Sequence, residues 1–195
     1  MVFPKREGAA QAGVVLSGDG VTLRHPETRD FADWAALRQQ SRAFLTPWEP
    51  TWPEDEFSKA AFRARIRRYL HDIAEGRAYP FYVFAADDER LIGGVTLSQV
   101  RRGVAQAASL GYWIGAPYQR RGHTSAAVAA VLRFAYTDLR LHRIEAACQP
   151  DNIASQRVLM NNGFEAEGRA RAYLKINGAW RDHLLFGRIN PDASA

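Results

Sequence analysis

The chain has few of the features that would reveal a function at once. Its 195 residues include one cysteine, Cys148. An intrachain disulfide and a cluster of cysteine metal ligands are therefore excluded, and we expect Cys148 to be a small buried apolar residue. No run of about 18 apolar residues occurs, and the first twenty residues lack the apolar core of a secretion signal. These absences predict a cytoplasmic protein without a membrane anchor.

Motifs of metal and dinucleotide sites are missing as well. The histidines lack the His-x-x-x-His and His-Glu-x-x-His spacings of zinc ligands, so no metal is expected; they are His25, His71, His123, His142 and His183. No Gly-x-Gly-x-x-Gly occurs, which argues against a Rossmann domain. The formal net charge of +5 is compatible with an acidic ligand or an RNA surface and selects neither.

The composition is that of a single globular domain. Hydrophobic residues make up 47% and charged residues 24% of the chain, and we expect one domain over 13–190 behind a flexible tail over 1–12. Apolar periodicity predicts the order β-α-α-β-β-β-α-β-α-β-β, which is a meander of antiparallel strands followed by one β-α-β crossover. The predicted class is α+β, with a mixed, largely antiparallel sheet of roughly six to seven strands flanked by about four helices.

The first third of the chain contains two segments with a less certain pattern. A Gly-Asp-Gly turn at 18–20 predicts a hairpin or a bent first strand, and three prolines between Ser41 and Pro53 predict a rigid loop rather than a helix. A helix is predicted over 54–74, and one of its faces carries cations: Lys59, Arg63, Arg65, Arg67 and Arg68. Such a face is either solvated or in contact with RNA or an acidic partner.

The most informative stretch lies near the middle of the chain. Apolar residues up to Ile114 predict a strand, Gly115 and Pro117 end it, and strong helix formers follow from 125. Between them lies a basic turn with one glycine. A strand, a tight basic turn and a helix N-terminus together form an anion site, because unpaired N–H groups and the positive end of the helix dipole point at one place. We expect a pyrophosphate there.

This turn resembles the pyrophosphate loop of the GNAT acetyltransferases, which bind acetyl-CoA. Its sequence Gln119-Arg120-Arg121-Gly122-His123-Thr124 follows their pattern (Gln/Arg)-x-x-Gly-x-(Gly/Ala) except at Thr124, where a β-branched residue replaces a small one. Leu159 stands where many GNAT enzymes have a general-acid tyrosine. Further segments are similar, in matching order, to the RimJ/RimL branch, the ribosomal-protein-alanine N-acetyltransferases: 45–50, 142–144, 150–155, 162–168 and 173–183.

The resemblance implies how acetyl-CoA would bind. The backbone at Trp113, Ile114 and Gly115 would pair with the pantetheine amides like an added strand. Asn152 is expected to bond the pantetheine arm and Ser155 to lie near the sulfur, although both stand at a helix start and could equally be capping residues. The phosphate groups would lie against the turn, on Gln119, Arg120, Arg121, Gly122, His123 and Thr124.

Amide formation also needs a site for the amine and a place for the developing charge. Ser155 is the candidate that stabilises the leaving thiolate, and Glu145 and Glu49 are candidates for a water-relayed base. Glu145 could instead be a surface residue of its strand, and Glu49 could clamp an ammonium group or pack its loop. The walls of an acceptor groove are predicted from side chains that could also be core residues: Trp48, Glu49, Tyr112, Tyr173, Trp180 and His183.

The chemistry favours a chain end as the acceptor. With a pKa of about 7.7–8.0, roughly a quarter of free α-amines are neutral near pH 7.4, against about one lysine in a thousand. Together with the resemblance, this predicts transfer of the acetyl group of acetyl-CoA to the N-terminal α-amine of a ribosomal-protein-like substrate that begins with Ala or Ser, by direct attack in a ternary complex. A small amine, polyamine or antibiotic as acceptor, and a non-catalytic ribosome- or RNA-associated module, are the alternatives. We expect a monomer or weak homodimer that binds no DNA.

Overall fold

The computed structural model describes residues 13–193. The predicted flexible tail over 1–12 lies outside the described residues. Three short 3-10 turns, Thr28–Asp30, Thr46–Trp48 and Ala116–Tyr118, join the main elements. In chain order these are β1 (Val15–Gly18), β2 (Val21–Arg24), α1 (Phe31–Gln40), α2 (Arg42–Leu45), α3 (Lys59–Ala74), β3 (Tyr79–Ala85), β4 (Leu91–Arg101), β5 (Ala107–Ile114), α4 (His123–Thr137), β6 (Arg143–Cys148), α5 (Ile153–Asn161), β7 (Glu165–Ile176) and β8 (Ala179–Ile189).

One eight-stranded sheet has the strand order β1-β2-β3-β4-β5-β6-β8-β7. Strands β5 and β6 are parallel, and the other neighbouring pairs are antiparallel. The predicted α+β class, with a mixed and largely antiparallel sheet around one β-α-β crossover, is confirmed. The sheet has eight strands rather than six to seven, because the turn at Asp19 and Gly20 divides the first segment into two strands that pair with each other.

Residues 13–193 contain five α-helices, one more than predicted, because the proline-rich segment is not a simple loop. Its first part forms α2 and the 3-10 turn over Thr46–Trp48. Pro47 stands in the first turn of that element, where its missing N–H leaves no bond unmade. The long helix begins later than predicted, at Lys59, because Ser58 caps it: the Ser58 Oγ accepts a hydrogen bond from the Ala61 N–H at 3.0 Å.

Helices cover both faces of the sheet, and the side chains of β3 show how. Alternate residues of a strand point to opposite faces. Phe81 packs edge-on against Phe134 of α4, whereas Tyr82 packs in a cluster with Trp34 and Phe62 of α1 and α3. Helices α4 and α5 therefore cover one face, and α1 and α3 cover the other. No helix within residues 13–193 is long and apolar enough to cross a bilayer.

The one parallel pairing in the sheet is short. Strands β5 and β6 pair from Ala107–Arg143 to Leu110–Ala146, and within the described residues no pair joins them beyond that point. Strand β5 continues to Ile114 while it is paired with β4, so the other edge of 111–114 is open. Because β5 and β6 are parallel, their carboxyl ends lie at the same edge of the sheet. A cleft therefore opens between them at that edge.

Candidate active site

The basic turn lies at the carboxyl end of β5, beside the cleft. Two of its residues have a left-handed backbone, Arg120 with a φ of 59° and Gly122 with a φ of 82°. The segment that leads into the turn is bound to the end of α1: the Ala116 N–H donates to the Oγ of the fully buried Ser41 at 2.9 Å. Gln119 Nε2 donates to the Ala116 carbonyl at 3.0 Å. No motif in the sequence marks Ser41, which was missed as part of the site.

The start of α4 directs backbone donors out of the turn. The first hydrogen bond of the helix joins the Ala126 N–H to the Gly122 carbonyl at 3.0 Å, so the N–H groups of His123, Thr124 and Ser125 precede it. A Cβ on Gly122 would meet no atom within 4 Å among the described residues. Thr124 offers its backbone N–H as a smaller residue would. Free donors, open space and the positive end of the helix dipole suit a phosphate group.

The open edge of β5 leads to this turn, but Gly115 is not part of that edge. The Gly115 N–H donates to the Ile92 carbonyl at 2.8 Å, and the Gly115 carbonyl accepts from the Tyr118 N–H at 2.9 Å. A Cβ on Gly115 would lie 2.4 Å from a methyl carbon of Leu37, so the glycine allows α1 to pack closely. Hydrogen-bonded and non-bonded pairs alternate along an antiparallel ladder, so Trp113, two positions from Gly115, also directs its backbone groups to β4. The prediction for Trp113 and Gly115 is therefore wrong, and the backbone that an added strand could use within 111–114 is that of Tyr112 and Ile114.

The first turn of α5 lies across the cleft, after the carboxyl end of β6. Asn152 Oδ1 accepts a hydrogen bond from the Ser155 N–H at 3.0 Å, so Asn152 is the N-cap of α5. This agrees with the alternative that Asn152 is a capping residue. The phenol oxygen of Tyr112 lies 2.8 Å from Ser155 Oγ and 3.2 Å from the Ser155 carbonyl oxygen. Tyr112 stays a predicted wall of the acceptor groove, and the structure directs its hydroxyl to α5.

Two titratable groups lie near the Ser155 hydroxyl, the half-buried phenol of Tyr112 and the buried thiol of Cys148. Burial raises the pKa of the Tyr112 phenol well above its ordinary value, although the hydrogen bond to Ser155 opposes the rise. Burial also raises the pKa of the Cys148 thiol, and the nearby Ser155 hydroxyl opposes this rise. Both groups are therefore protonated near neutral pH. Cys148 is buried, as its small size and its apolar neighbours in the sequence predict.

Glu145, the first candidate base, is held in an ion-pair network on the sheet. It lies in the part of β6 that is paired with β5, just before the cleft. Its carboxylate contacts Arg101 Nη2 and, at 3.1 Å, Arg143 Nε, and Arg143 extends the network to Glu167 on β7. Gly187 leaves room for it, because a Cβ there would lie 2.4 Å from Arg143 Nη2. These contacts favour the alternative of a surface carboxylate for Glu145.

Glu49, the second candidate base, is bound by Arg38 of α1. Arg38 Nη1 and Nη2 donate to the two carboxylate oxygens at 2.7 and 2.6 Å, and Trp52 Nε1 donates to Glu49 Oε2 at 2.7 Å. The Arg38 side chain is 8% exposed, and its guanidinium lies 4.3 Å from the ring centre of Trp52 and 5.0 Å from that of Trp113. Sequence reasoning missed Arg38. Its spacing of four positions from Trp34 places it on the buried face of α1 and was the available signal.

The loop over 46–53, which carries Glu49, connects several parts of the site. At the tip of the β7–β8 hairpin, the Asn177 N–H donates to the Glu49 carbonyl at 2.9 Å. Gln149, directly after β6, donates from Nε2 to the Pro47 carbonyl at 2.9 Å. Together with the Arg38 contacts, these bonds tie the loop to α1, to the end of β6 and to the hairpin. The 46–53 loop is thus held in place beside the carboxyl end of β6.

The other predicted walls of the acceptor groove differ widely in exposure. Trp48 is half-buried in the 46–53 loop, whereas Tyr173 and Trp180 on the β7–β8 hairpin are 47% and 65% exposed. His183 is 3% exposed; its Nδ1 lies 3.0 Å from the Arg181 carbonyl oxygen and its ring 5.8 Å from that of Tyr173. The bond between Asn177 and Glu49 joins this hairpin to the 46–53 loop.

In residues 13–193, no group of three or more His, Cys, Asp and Glu side chains could hold a metal ion.

Comparison with known proteins agrees with this architecture. The acetyltransferase (GNAT) domain family matches residues 21–165, which is well over half of the chain. The chain belongs to the GNAT acetyltransferase family. The family and its named relatives identify the protein as an N-acetyltransferase.

Three relatives place the enzyme in one branch of this family. The ribosomal protein uS5-alanine N-acetyltransferase of Escherichia coli is 36% identical over 92% of this chain and 92% of its own length. The crystal structure of the ribosomal-protein-S5-alanine acetyltransferase from Vibrio fischeri has a TM-score of 0.86 at 31% identity, over 93% of this chain and 100% of that one. RimJ of Mycobacterium smegmatis in complex with CoA-disulfide has a TM-score of 0.85 at 32% identity, over 93% and 88% of the two chains. The enzyme is RimJ/RimL-like.

Replacement of Gly122 by valine is expected to abolish measurable acetyl-CoA binding. A β-branched residue is strained at a φ of 82°, and its side chain would fill the open space before the α4 donors. Calorimetric titration measures the binding. The matched control is Gly103→Val, because Gly103 has a φ of 67° and equally open surroundings but lies before β5, away from the cleft. Equal acetyl-CoA affinity of the two variants would contradict the placement of the phosphates.

Replacement of Arg38 by alanine is expected to lower the free energy of unfolding by about 2–4 kcal/mol. The loss leaves the Glu49 carboxylate without its bidentate partner, and it is smaller than for a completely buried pair because the Glu49 side chain is 20% exposed. Urea unfolding measures it. Arg169→Ala is the control, since it breaks an exposed ion pair with Asp182 and should matter much less. Similar losses of unfolding free energy in both variants would show that the Arg38–Glu49 pair contributes no more to stability than an exposed ion pair.

Proposed function

We propose that this enzyme acetylates the N-terminal α-amine of a ribosomal protein that begins with Ala or Ser, with acetyl-CoA as donor. The observation that carries the proposal is the cleft between β5 and β6, which has the α4 donors at one side and Ser155 at the other. Relatives support the donor and the acceptor class: RimJ of M. smegmatis is in complex with CoA-disulfide, and the E. coli relative is named for the alanine of uS5.

The donor would lie along the open edge of β5. Its pantetheine amides would pair with the backbone of 111–114, as an added strand does, and its pyrophosphate would accept hydrogen bonds from the first N–H groups of α4. Arg120 and Arg121, both exposed on the turn, would lie close to the phosphates. This path brings the thioester to the first turn of α5, where Ser155 stands. Asn152 contributes by capping that turn.

The state of the carboxylates supports an α-amine as acceptor. Glu49 already accepts three N–H donors, and Glu145 is paired with two arginines, so both carboxylates are occupied. A lysine acceptor, with a pKa of about 10.4, needs a strong base to become a nucleophile, whereas an α-amine with a pKa of about 7.7–8.0 is partly neutral already. Positioning and proton loss to water therefore suffice for a chain end.

Acetyl transfer would proceed by direct attack. The neutral amine nitrogen attacks the thioester carbonyl carbon, the C–N bond forms, and the C–S bond breaks with its electron pair on sulfur. The Ser155 hydroxyl would donate a hydrogen bond to that sulfur, and the extra proton on nitrogen would leave to water. A thiol has a pKa of about 8.5, so its thiolate is a good leaving group that one hydroxyl can assist.

An acceptor panel tests the proposal. Purified enzyme and acetyl-CoA are offered peptides that begin with Ala or Ser, the same peptides with a blocked N-terminus and a free lysine, and a set of small amines and polyamines, while thiol release is followed. We expect release with the free N-termini and none with the blocked peptides. Release with small amines alone would overturn the proposal and favour the alternative acceptor class.

Replacement of Ser155 by alanine is expected to lower kcat by roughly tenfold or more, because a donor to the leaving sulfur is removed. The affinity for acetyl-CoA should stay unchanged. Alanine keeps the N–H that donates to Asn152 Oδ1, and stability should fall by no more than about 1 kcal/mol through the lost hydrogen bond between Tyr112 and Ser155 Oγ. Asn152→Ala is the comparison variant and should lose about 1 kcal/mol of stability through its cap. An unchanged kcat in Ser155→Ala would leave Ser155 with a structural role alone.

A further inference from the structure

The contact between Tyr112 and Ser155 spans the mouth of the cleft. Tyr112 lies on β5 two positions beyond Leu110, the last β5 residue that pairs with β6. Its hydroxyl reaches α5 and lies 2.8 Å from Ser155 Oγ. The side chain thus links β5 to α5 just beyond the point where the backbone pairing of β5 with β6 has ended.

We propose that Tyr112 is a positioning residue for acetyl transfer, whose phenol donates a hydrogen bond to Ser155 Oγ and turns the Ser155 proton toward the donor sulfur. The proposal rests on the proposed function, in which Ser155 stands beside that sulfur. Tyr112 itself touches Ser155 and not the reacting atoms.

The chemistry of the two hydroxyls determines which one donates. A phenol is a stronger acid than an aliphatic alcohol and is therefore the better donor of the pair. A separation of 2.8 Å is typical of an O–H···O bond, whereas the 3.2 Å to the Ser155 carbonyl is longer. If the phenol donates to Ser155 Oγ, the hydroxyl proton of Ser155 is free for another acceptor.

The surroundings keep this direction fixed. Because burial raises the pKa of Tyr112, the phenol remains a protonated donor through the neutral range. The other titratable group against Ser155 is the Cys148 thiol, whose pKa is raised by burial as well. Since the Ser155 N–H is bound to Asn152, the serine backbone is fixed and the orientation of its hydroxyl depends on Tyr112. A chain of two hydroxyls that ends at a sulfur is polarised along its length and favours the thiolate.

Tyr112→Phe tests the proposal, with Tyr82→Phe as matched control. Tyr82 is a tyrosine of the same sheet that is buried more deeply than Tyr112, and its hydroxyl has no hydrogen-bond partner within the described residues. We expect kcat of Tyr112→Phe to fall by roughly three- to tenfold, the size expected for one neutral hydrogen bond, with an unchanged affinity for acetyl-CoA. Tyr82→Phe should keep the kcat of the unmodified enzyme. Equal kcat values in the two variants would overturn the proposal.

Two further measurements separate positioning from a general structural effect. The pKa of the thiol of bound CoA, read from thiolate absorbance in difference spectra against CoA-free enzyme, should rise in Tyr112→Phe and in Ser155→Ala but not in Tyr82→Phe. In the double variant Tyr112→Phe/Ser155→Ala, kcat should equal that of Ser155→Ala, because Tyr112 acts through Ser155. An unchanged thiol pKa in Tyr112→Phe, or losses in kcat that multiply, would overturn the proposal.

The spectroscopic arm uses enzyme and CoA without an acceptor. It therefore reports on Tyr112 even if the acceptor panel finds no activity on protein N-termini. Conversely, acetylation of Ala and Ser peptides together with an unchanged thiol pKa in Tyr112→Phe would uphold the proposed function and remove the role of Tyr112. Failure of one proposal is thus distinguishable from failure of the other.

Discussion

The parallel pairing of β5 with β6 is the constraint on which the site depends. Parallel neighbours need a crossover, and here α4 supplies it between two strands whose carboxyl ends share one edge of the sheet. The helices that follow these strands, α4 and α5, therefore both begin at that edge. Because the pairing stops at Leu110 and Ala146, the strands separate between the two helix N-termini. The backbone N–H groups at the start of α4 and the Ser155 hydroxyl at the start of α5 thus face the same cleft.

The 46–53 loop closes this arrangement on the opposite face of the sheet. Arg38 holds Glu49 by two hydrogen bonds and lies over the indole rings of Trp52 and Trp113, and one backbone bond joins the loop to the β7–β8 hairpin. Loss of one partner of an ion pair with so little exposure strongly destabilises the protein. The intact pair contributes more to a defined conformation than to net stability. The pair therefore fixes where the loop stands. That is the property a groove wall needs.

The sequence was sufficient for the local parts of the site and insufficient for the contacts between them. The turn at 119–124 and the first turn of α5 are short motifs whose geometry follows from neighbouring residues, and the structure places both at the cleft. Ser41 anchors the turn across 75 positions, and Gln149 reaches Pro47 across 102 positions. No local pattern encodes such partners. The direction of Tyr112 could have been derived, because alternation along β5 puts it on the same face as the buried Ala108 and Leu110.

Both acidic candidates proved to be bound by arginines, and this changes how selectivity for the acceptor must arise. A free carboxylate in the cleft could deprotonate many amines and would make the enzyme tolerant of lysine side chains. Where the carboxylates are paired with arginines, an amine reacts most readily if it is already partly neutral and is held against the thioester. Chain ends meet the first condition through their pKa, and in the proposed function the 46–53 loop, held by the Arg38–Glu49 pair, would supply the second. On that proposal, the arginines that bind the two carboxylates favour α-amines as acceptors.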